Sequence, residues 1–301
     1  MVPIAGMAFV FAIPYRAGVG NLGGEGQMVL GGLAGTLVAI NAPGPPWLVM
    51  TLAFVCGSAV GAVWAFIPAL GQTRLLLPIL ITSLLLNYVA RSIAGYLVGF
   101  PFQDPRAGDI STAPVPIEHR LPKLPILGGV TISVLAIIVV VACTAVYNRR
   151  TVGGYESQMT GLNPRFAWYG GVGVDRTRTR LLLVAGAIAG AVGTHVIIGD
   201  FFRYVDGGLV GTAFAWSGLM VALLARKSTV GILAASLLFA SLQQGGLAMQ
   251  RSTDVPEQLS LVLQGIVIIA FVSHFSITWR MARKRPSAAV GVHAQEAQGG
   301  V

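Results

Sequence analysis

The stretch 47–70 contains no charged side chain and is almost entirely apolar. A segment of that kind suits the hydrocarbon core of a bilayer, about 30 Å thick, which a helix of about 20 apolar residues crosses. Further predominantly apolar stretches are read at 75–99, 125–147, 181–199, 208–225, 229–250 and 259–279, and two shorter ones, 2–14 and 27–40, precede them all. Of the 301 residues only 10% are charged and 54% are hydrophobic, with a mean hydropathy of +0.75. Soluble domains carry about 25% charged residues, so this chain lacks the polar surface a soluble fold needs. The fold class expected is all-α: a polytopic transmembrane helix bundle of about 8–10 membrane segments.

The formal net charge is +9. In a soluble domain this would point to nucleic acid; here the cations are confined to a few connections, as membrane topology requires. The connection 148–180 holds Arg149, Arg150, Arg165, Arg176, Arg178 and Arg180 against Glu156 and Asp175. Arg226-Lys227 and the tail from Arg280 are also basic. The alternate connections 100–123, 200–207 and 251–258 balance acids against bases. Basic loops stay in the cytosol, which puts 148–180 and the C-terminus there. If 2–14 and 27–40 each cross once, nine crossings place Met1 outside. That count asks for one more helix upstream, so the N-terminal helix of the bundle is expected to be missing here, unless one short stretch is re-entrant or the two are halves of a discontinuous helix around Gly18–Gly26. One transmembrane domain is expected over 1–285, followed by a disordered cytosolic tail, 286–301, rich in Ala, Gly and Gln.

Few polar residues interrupt the spans. Glu25 lies among Gly23, Gly24 and Gly26, flanked by Asn21 and Gln27. Polar groups at membrane depth are costly and commonly functional, so Asn21, Glu25 and Gln27 are candidates to line a translocation route. Equally, Glu25 could pair with Arg16 or Arg91 and hold the bundle. Ser83, Asn87 and Arg91 recur at spacing four and form one stripe on a helix. Asn87 and Arg91 join the route candidates, with snorkelling of Arg91 to the surface as the alternative. His195, Gln243 and Gln244 are single polar residues, and a lone His in an apolar helix is more often a packing residue. Cys56 and Cys143 both lie inside apolar stretches and read as buried small packing residues. Small residues four apart, at Gly31/Gly35, Gly57/Gly61, Gly186/Gly190 and Gly207/Gly211, predict close helix contacts.

In the connection 148–180, Asn163 is placed to cap a helix that Pro164 opens, with Arg165 to Tyr169 forming its turns and Gly170-Gly171 closing it. Gly153-Gly154 and Gly161 bracket a second short segment, 155–160. The pair reads as a knob with Phe166, Trp168 and Tyr169 at its surface, either a docking element or an interfacial turn resting in lipid headgroups. No Walker A pattern occurs, and none of the three lysines ends a glycine-rich loop, so the chain has no P-loop for ATP. No cluster has metal-ligand spacing, and no nucleophile–base pairing is visible.

Four segments in order carry a resemblance. Arg16-Ala-Gly-Val-Gly-Asn-Leu-Gly-Gly-Glu-Gly-Gln27 resembles the "RAG-x-x-NIG-x-EGQ" segment of permeases in nucleoside and simple-sugar ABC importers, within the branched-chain amino acid/ribose permease superfamily. Thr82 to Tyr88 is similar to that family's "T-hydrophobic-NY" span. Gly161-Leu-Asn-Pro164 with Tyr169-Gly-Gly171 resembles its "G-x-N-P-x-A-A-x-Y-x-G" loop. Gly211–Leu224 with Gly231–Gly246 resembles its paired glycine-rich spans. Where the family has Gly-Phe, this chain reads Thr212-Ala-Phe; Leu22 and Gly24 replace Ile and Ala.

The resemblance implies a non-catalytic, multi-pass subunit of a bacterial-type plasma membrane that forms a route for nucleosides or simple sugars. It implies a cytosolic ATPase carrying ATP and Mg, a second permease subunit and an extracytoplasmic binding protein or lipoprotein. Gly161, Asn163, Pro164, Arg165 and Tyr169 would belong to the loop that couples to the ATPase. The rival class, an ion-coupled transporter or channel acting alone, would need several ionisable residues within its spans; Arg91 and Glu25 are the candidates here. A membrane enzyme would need an acid, base or metal cluster that the sequence does not present.

Overall fold

The computed structural model describes residues 1–124, 130–131, 133–225, 228–252, 262–267 and 269–270. The chain divides into two compact units, Met1–Ser241 and Leu242–Val301. The first contains α1 (Val2–Arg16), α2 (Gly24–Asn41), α3 (Pro46–Leu75), α4 (Ile79–Gly99), α5 (Ser133–Arg150), α6 (Val152–Leu162), α7 (Pro164–Tyr169), α8 (Val174–Val196), α9 (Gly208–Gly211) and α10 (Phe214–Ala225). Helix α11 (Thr229–Ser252) begins in the first unit and ends in the second, where residues 262–267 and 269–270 are also helical. A two-residue antiparallel pairing, β1 (Lys123–Leu124) with β2 (Val130–Thr131), is the one sheet among the described residues. The fold is a polytopic helical bundle. Five described segments are long and apolar enough to cross a membrane: Pro46–Leu75, Ile79–Gly99, Val174–Phe201, Gly208–Ala225 and Thr229–Ser252. The expected basic pair Arg226-Lys227, most of the span 259–279 and the tail 286–301 lie outside the described residues.

The two shortest apolar stretches turn out to be the most interior. Every residue of α1 from Pro3 to Pro14 is buried, and such a helix needs no polar face. It packs on α10, where a Cβ at Gly218 would lie 2.9 Å from the Ala8 nitrogen, and on α8. Helix α2 is buried at 13 of its 18 residues, and α8 is interior too, with 72% of its apolar window buried against 28% for α3. Helix α3 buries one stripe of small residues, Val49, Ala53, Gly57, Gly61, Ala65 and Ala69, and turns Trp47, Val55, Val63 and Phe66 outward.

That stripe meets α8 and α2 in a three-helix seam. A Cβ at Gly31 would collide with the Gly190 backbone and one at Gly186 with the Gly61 carbonyl; one at Gly57 would lie 2.8 Å from the Gly31 carbonyl. Apolar surface gains little from association within lipid, so helices hold by close backbone approach and side-chain hydrogen bonds. Thr194 adds the latter, its hydroxyl donating to the carbonyls of Gly190 (3.0 Å) and Gly31 (3.3 Å). Three of the four glycine pairs therefore pack as expected. Gly207/Gly211 do not: a Cβ on either would meet nothing within 4 Å, and Gly207 instead takes φ +70° at a turn. Cys143 is exposed and Cys56 half-buried, so neither is a buried packing residue.

The bundle has two distinct ends. At one, the Arg16 end of α1 lies against Gly161 of α6, near the arginines that close α5 and open α8. At the other, the loops 100–122 and 202–207 are joined: Thr112 N–H donates to the Tyr204 carbonyl (2.9 Å), Val115 N–H to Phe202 (2.7 Å) and Asp206 N–H to Ile110 (2.9 Å). The Arg120 guanidinium stacks on the Phe202 ring at 4.4 Å, and His119 Nδ1 lies 2.8 Å from the Ala39 carbonyl at the end of α2. Met1 sits at this second end, beside Asp200.

Candidate translocation route and docking surface

Helix α2 does not start where α1 ends. Gly24, its first residue, faces Met7, Val10 and Phe11 halfway along α1, with their side-chain atoms 3.1–3.2 Å from where a Cβ would stand. Residues 17–23 therefore rise through the bundle without regular hydrogen bonds, and at that depth every backbone group needs a partner from the protein. The α4 stripe supplies several. Ser83 Oγ accepts from Leu22 N–H (3.1 Å), and Asn87 Oδ1 accepts from Gly26 N–H (2.8 Å) while its Nδ2 donates to the Leu22 carbonyl (2.8 Å). Asn21 Oδ1 accepts from Gly23 N–H (2.9 Å), closing a local turn, and its Nδ2 donates to Gln27 Oε1 (3.2 Å). The glycines permit this: a Cβ on Gly26 would lie 3.0 Å from Asn87 Oδ1 and 2.9 Å from the Ala90 Cβ.

Glu25 joins three helices. The Arg91 guanidinium donates to Oε1 through both Nε (2.6 Å) and Nη2, and Trp216 Nε1 donates to Oε2 at 3.1 Å from α10. The ion pair is thus with Arg91 and not Arg16. A carboxylate so deep is tolerable because each oxygen has a charged or polar donor. The five route candidates, Asn21, Glu25, Gln27, Asn87 and Arg91, come together in one region. Four are closed off, at 2%, 3%, 0% and 3% exposure for Asn21, Glu25, Gln27 and Asn87. Arg91 is the accessible member, its side chain 38% exposed. His195 is buried on α8; Gln243 is buried and Gln244 exposed on α11.

Arg91 also borders a cavity of about 410 Å³ whose other walls are Tyr96, Tyr204, Asp206, Val29 and Leu209. This is within the roughly 300–1,000 Å³ range of small-molecule sites. The Asp206 carboxylate lies over Gly95, where a Cβ would come within 3.3 Å of Oδ1. Burial, with Asp206 beside it, pushes the Tyr204 hydroxyl well above the usual phenol range, so it remains a donor. Tyr96, Tyr204 and Asp206 gave no periodic signal in the sequence; the loop 202–207 reaches α4 through pairing with 110–115, which only the fold reveals.

At the opposite end, α6 and α7 form the knob. Thr151 caps α6 by accepting from Gly154 N–H (3.1 Å), and Asn163 Oδ1 accepts from both Arg165 N–H and Phe166 N–H (3.1 Å each) with Pro164 at the first turn. Gly171 closes the turn at φ +82°. The segment between the long helices is 151–173, shorter than the 148–180 connection, because α8 already begins at Val174. Gly153, Gly154 and Gly161 do not bracket a helix; they lie inside α6, where their missing side chains admit the Tyr147 ring at Gly153 and neighbouring backbone at the other two. A Cβ on Gly154 would meet the Tyr147 carbonyl, and one on Gly161 the Arg16 carbonyl. Phe166, Trp168 and Tyr169 are 63%, 66% and 81% exposed, with the last two rings edge to face at 5.1 Å. Asn163, Pro164 and Arg165 share that exposed face, whereas Gly161 sits at the joint to α1. Among the described residues no group of three His, Cys, Asp or Glu is placed to hold a metal ion.

A multi-pass helical bundle with an unwound glycine-rich segment at its centre, where the second crossing begins, and a capped aromatic knob at one end defines a membrane permease. The branched-chain amino acid transport system / permease component family matches residues 1–272, and the chain belongs to it. It is 32% identical over 281 residues to a glucose ABC transporter permease protein of Haloferax volcanii, covering 90% of this chain and 73% of that one. It is 28% identical over 296 residues to a guanosine ABC transporter permease protein of Bacillus subtilis (95% and 82%), and 29% identical over 281 residues to a nucleoside ABC transporter permease protein of Lactococcus lactis (90% and 77%). No solved structure matches. The chain is a translocation-pathway subunit of an ABC importer, a membrane subunit without catalytic activity of its own that works with an ATPase and a substrate-binding protein.

Proposed function

We propose that the knob α6–α7 is the ATPase-docking element and that the end carrying it faces the cytosol. The arrangement that supports this is an exposed aromatic surface, rigidly capped at both helices, whose base is pressed against the end of the interior helix α1. Movement of the knob would reach α1 through Gly161, and from α1 the α10 face that carries Trp216. Cytosolic placement follows from Arg149, Arg150, Arg165, Arg176, Arg178 and Arg180 gathering there, with the C-terminus on the same side of a bacterial-type plasma membrane. ATP and Mg bind on the partner ATPase, and a second permease subunit completes the route.

The substrate is a nucleoside or simple sugar, the classes named in the relatives. Neutral, hydroxyl-rich molecules suit the cavity beside Arg91: Asp206 accepts hydroxyl protons, Tyr204 donates, and Tyr96 offers a ring face. Asn21, Gln27 and Asn87 hold the unwound segment before α2 that positions Glu25 and Arg91. The test is co-purification from membranes in mild detergent. Substituting Trp168 and Tyr169 together by Ala should remove the ATPase from the eluate while leaving the melting temperature unchanged. An ATPase recovered undiminished with this variant would refute docking through the knob, and ion-driven uptake by the purified chain alone would refute the importer reading of the mechanism.

A further inference from the structure

A second, larger cleft opens at the joint of the knob. It has a volume of about 670 Å³ and lies between the end of α1, the last three turns of α5, the start of α6 and the first half of α8. Its polar groups gather at the basic end: Arg16, Arg180, Asn148 and the Tyr147 hydroxyl. Asn148 lines the cleft, and its Nδ2 is buried with no hydrogen-bond partner in the structure, so a side-chain rotation toward the cleft would bring that donor to an acceptor. From this polar head the walls turn apolar. Along α5 they run from Asn148 to Val140 and along α8 from Arg180 to Ile188, in each case about 12 Å of helix toward the membrane interior at roughly 1.5 Å per residue. Glu156, the acid nearest on α6, is not among the lining residues.

We propose that this groove binds an anionic phospholipid from the leaflet at the basic end, its phosphate between Arg16, Arg180 and Asn148 and an acyl chain along Val140, Val184 and Ile188. The charge is complementary, the shape is amphipathic in the sense a lipid requires, and basic pockets between transmembrane helices favour anionic headgroups. A water-soluble anion would use only the head of the groove. The occupant would touch α1, α6 and α8 together, and so brace the seat of the knob.

The chain carries its own reporters. Cys143 is exposed and lines the groove; Cys56 is half-buried on α3, away from it. The full chain carrying Cys56→Ala is placed in nanodiscs of phosphatidylcholine or phosphatidylglycerol, and the rate of Cys143 alkylation by a maleimide is measured. Phosphatidylglycerol should slow the reaction about fivefold, the preference expected for one surface arginine, whereas Cys56 in the Cys143→Ala chain should react equally in both. Arg180→Gln should return Cys143 to the phosphatidylcholine rate, and Arg180→Lys should keep most of the protection. Equal slowing at both cysteines would overturn the proposal. So would protection that survives Arg180→Gln, or loss of protection in Arg180→Lys as well. Protection by excess inorganic phosphate in phosphatidylcholine would assign the head of the groove to a free anion and overturn the lipid assignment.

Discussion

Replacing Asn87 by leucine tests the reading of the unwound segment 17–23. The side chain is 3% exposed and makes two bonds of 2.8 Å, one from Gly26 N–H and one to the Leu22 carbonyl. Leucine is close in size but leaves both backbone groups without a partner at a depth where water does not replace one. Each such group costs about 1–3 kcal/mol, so the pair costs about 2–6 kcal/mol. Greater apolarity recovers little, because association within a membrane has no hydrophobic driving force of its own. At about 2 °C per kcal/mol for a chain of this size, the melting temperature in detergent should fall by about 4–12 °C. The control is Thr82→Val one turn earlier, which removes only a bond from the hydroxyl to the Pro78 carbonyl at the start of the same helix and should leave the melt within about 1 °C. Melting is followed by intrinsic fluorescence on purified protein. If N87L melts with wild type and T82V, the segment is not held by α4 and the account of Asn21, Glu25 and Gln27 as a positioned group fails with it.

Ala213 sits at φ +54° just before α10, where the resembled motif has glycine. The left-handed conformation costs a non-glycine residue roughly 1–2 kcal/mol, partly offset by the unfolded-state entropy of glycine, so Ala213→Gly should stabilise by up to about 1 kcal/mol; a lower melting temperature would contradict the strain. Gly190→Val forces a branched side chain against the Gly57 backbone and should cost about 3 kcal/mol or more, seen as aggregation on size exclusion, while Gly211→Ala, in open space, should elute as wild type.

The sequence by itself determined the class of the molecule. Long apolar stretches separated by clustered cations have one environment, and the caps of α7 were legible because Asn163-Pro164 and Gly170-Gly171 act on their own neighbours within a turn. Three glycine pairs announced a seam for the same local reason: spacing four puts them on one helix face. What spacing could not say was which faces meet. Gly207/Gly211 have the same pattern and pack against nothing, and the glycines of α6 looked like boundaries until the Arg16 and Tyr147 carbonyls were found against them. The Ser83, Asn87 and Arg91 stripe was visible as polar residues on one face, but its partners lie more than sixty residues earlier in the chain. Only the tertiary structure pairs it with the backbone of residues 22–26 and decides that Arg91, of the two arginines the sequence offered, meets Glu25, because a hydrogen bond at membrane depth is set by which helices cross there. The cavity walled by Tyr204 and Asp206 was decided in the same way, by the pairing of two loops that brings residues 202–207 back over α4.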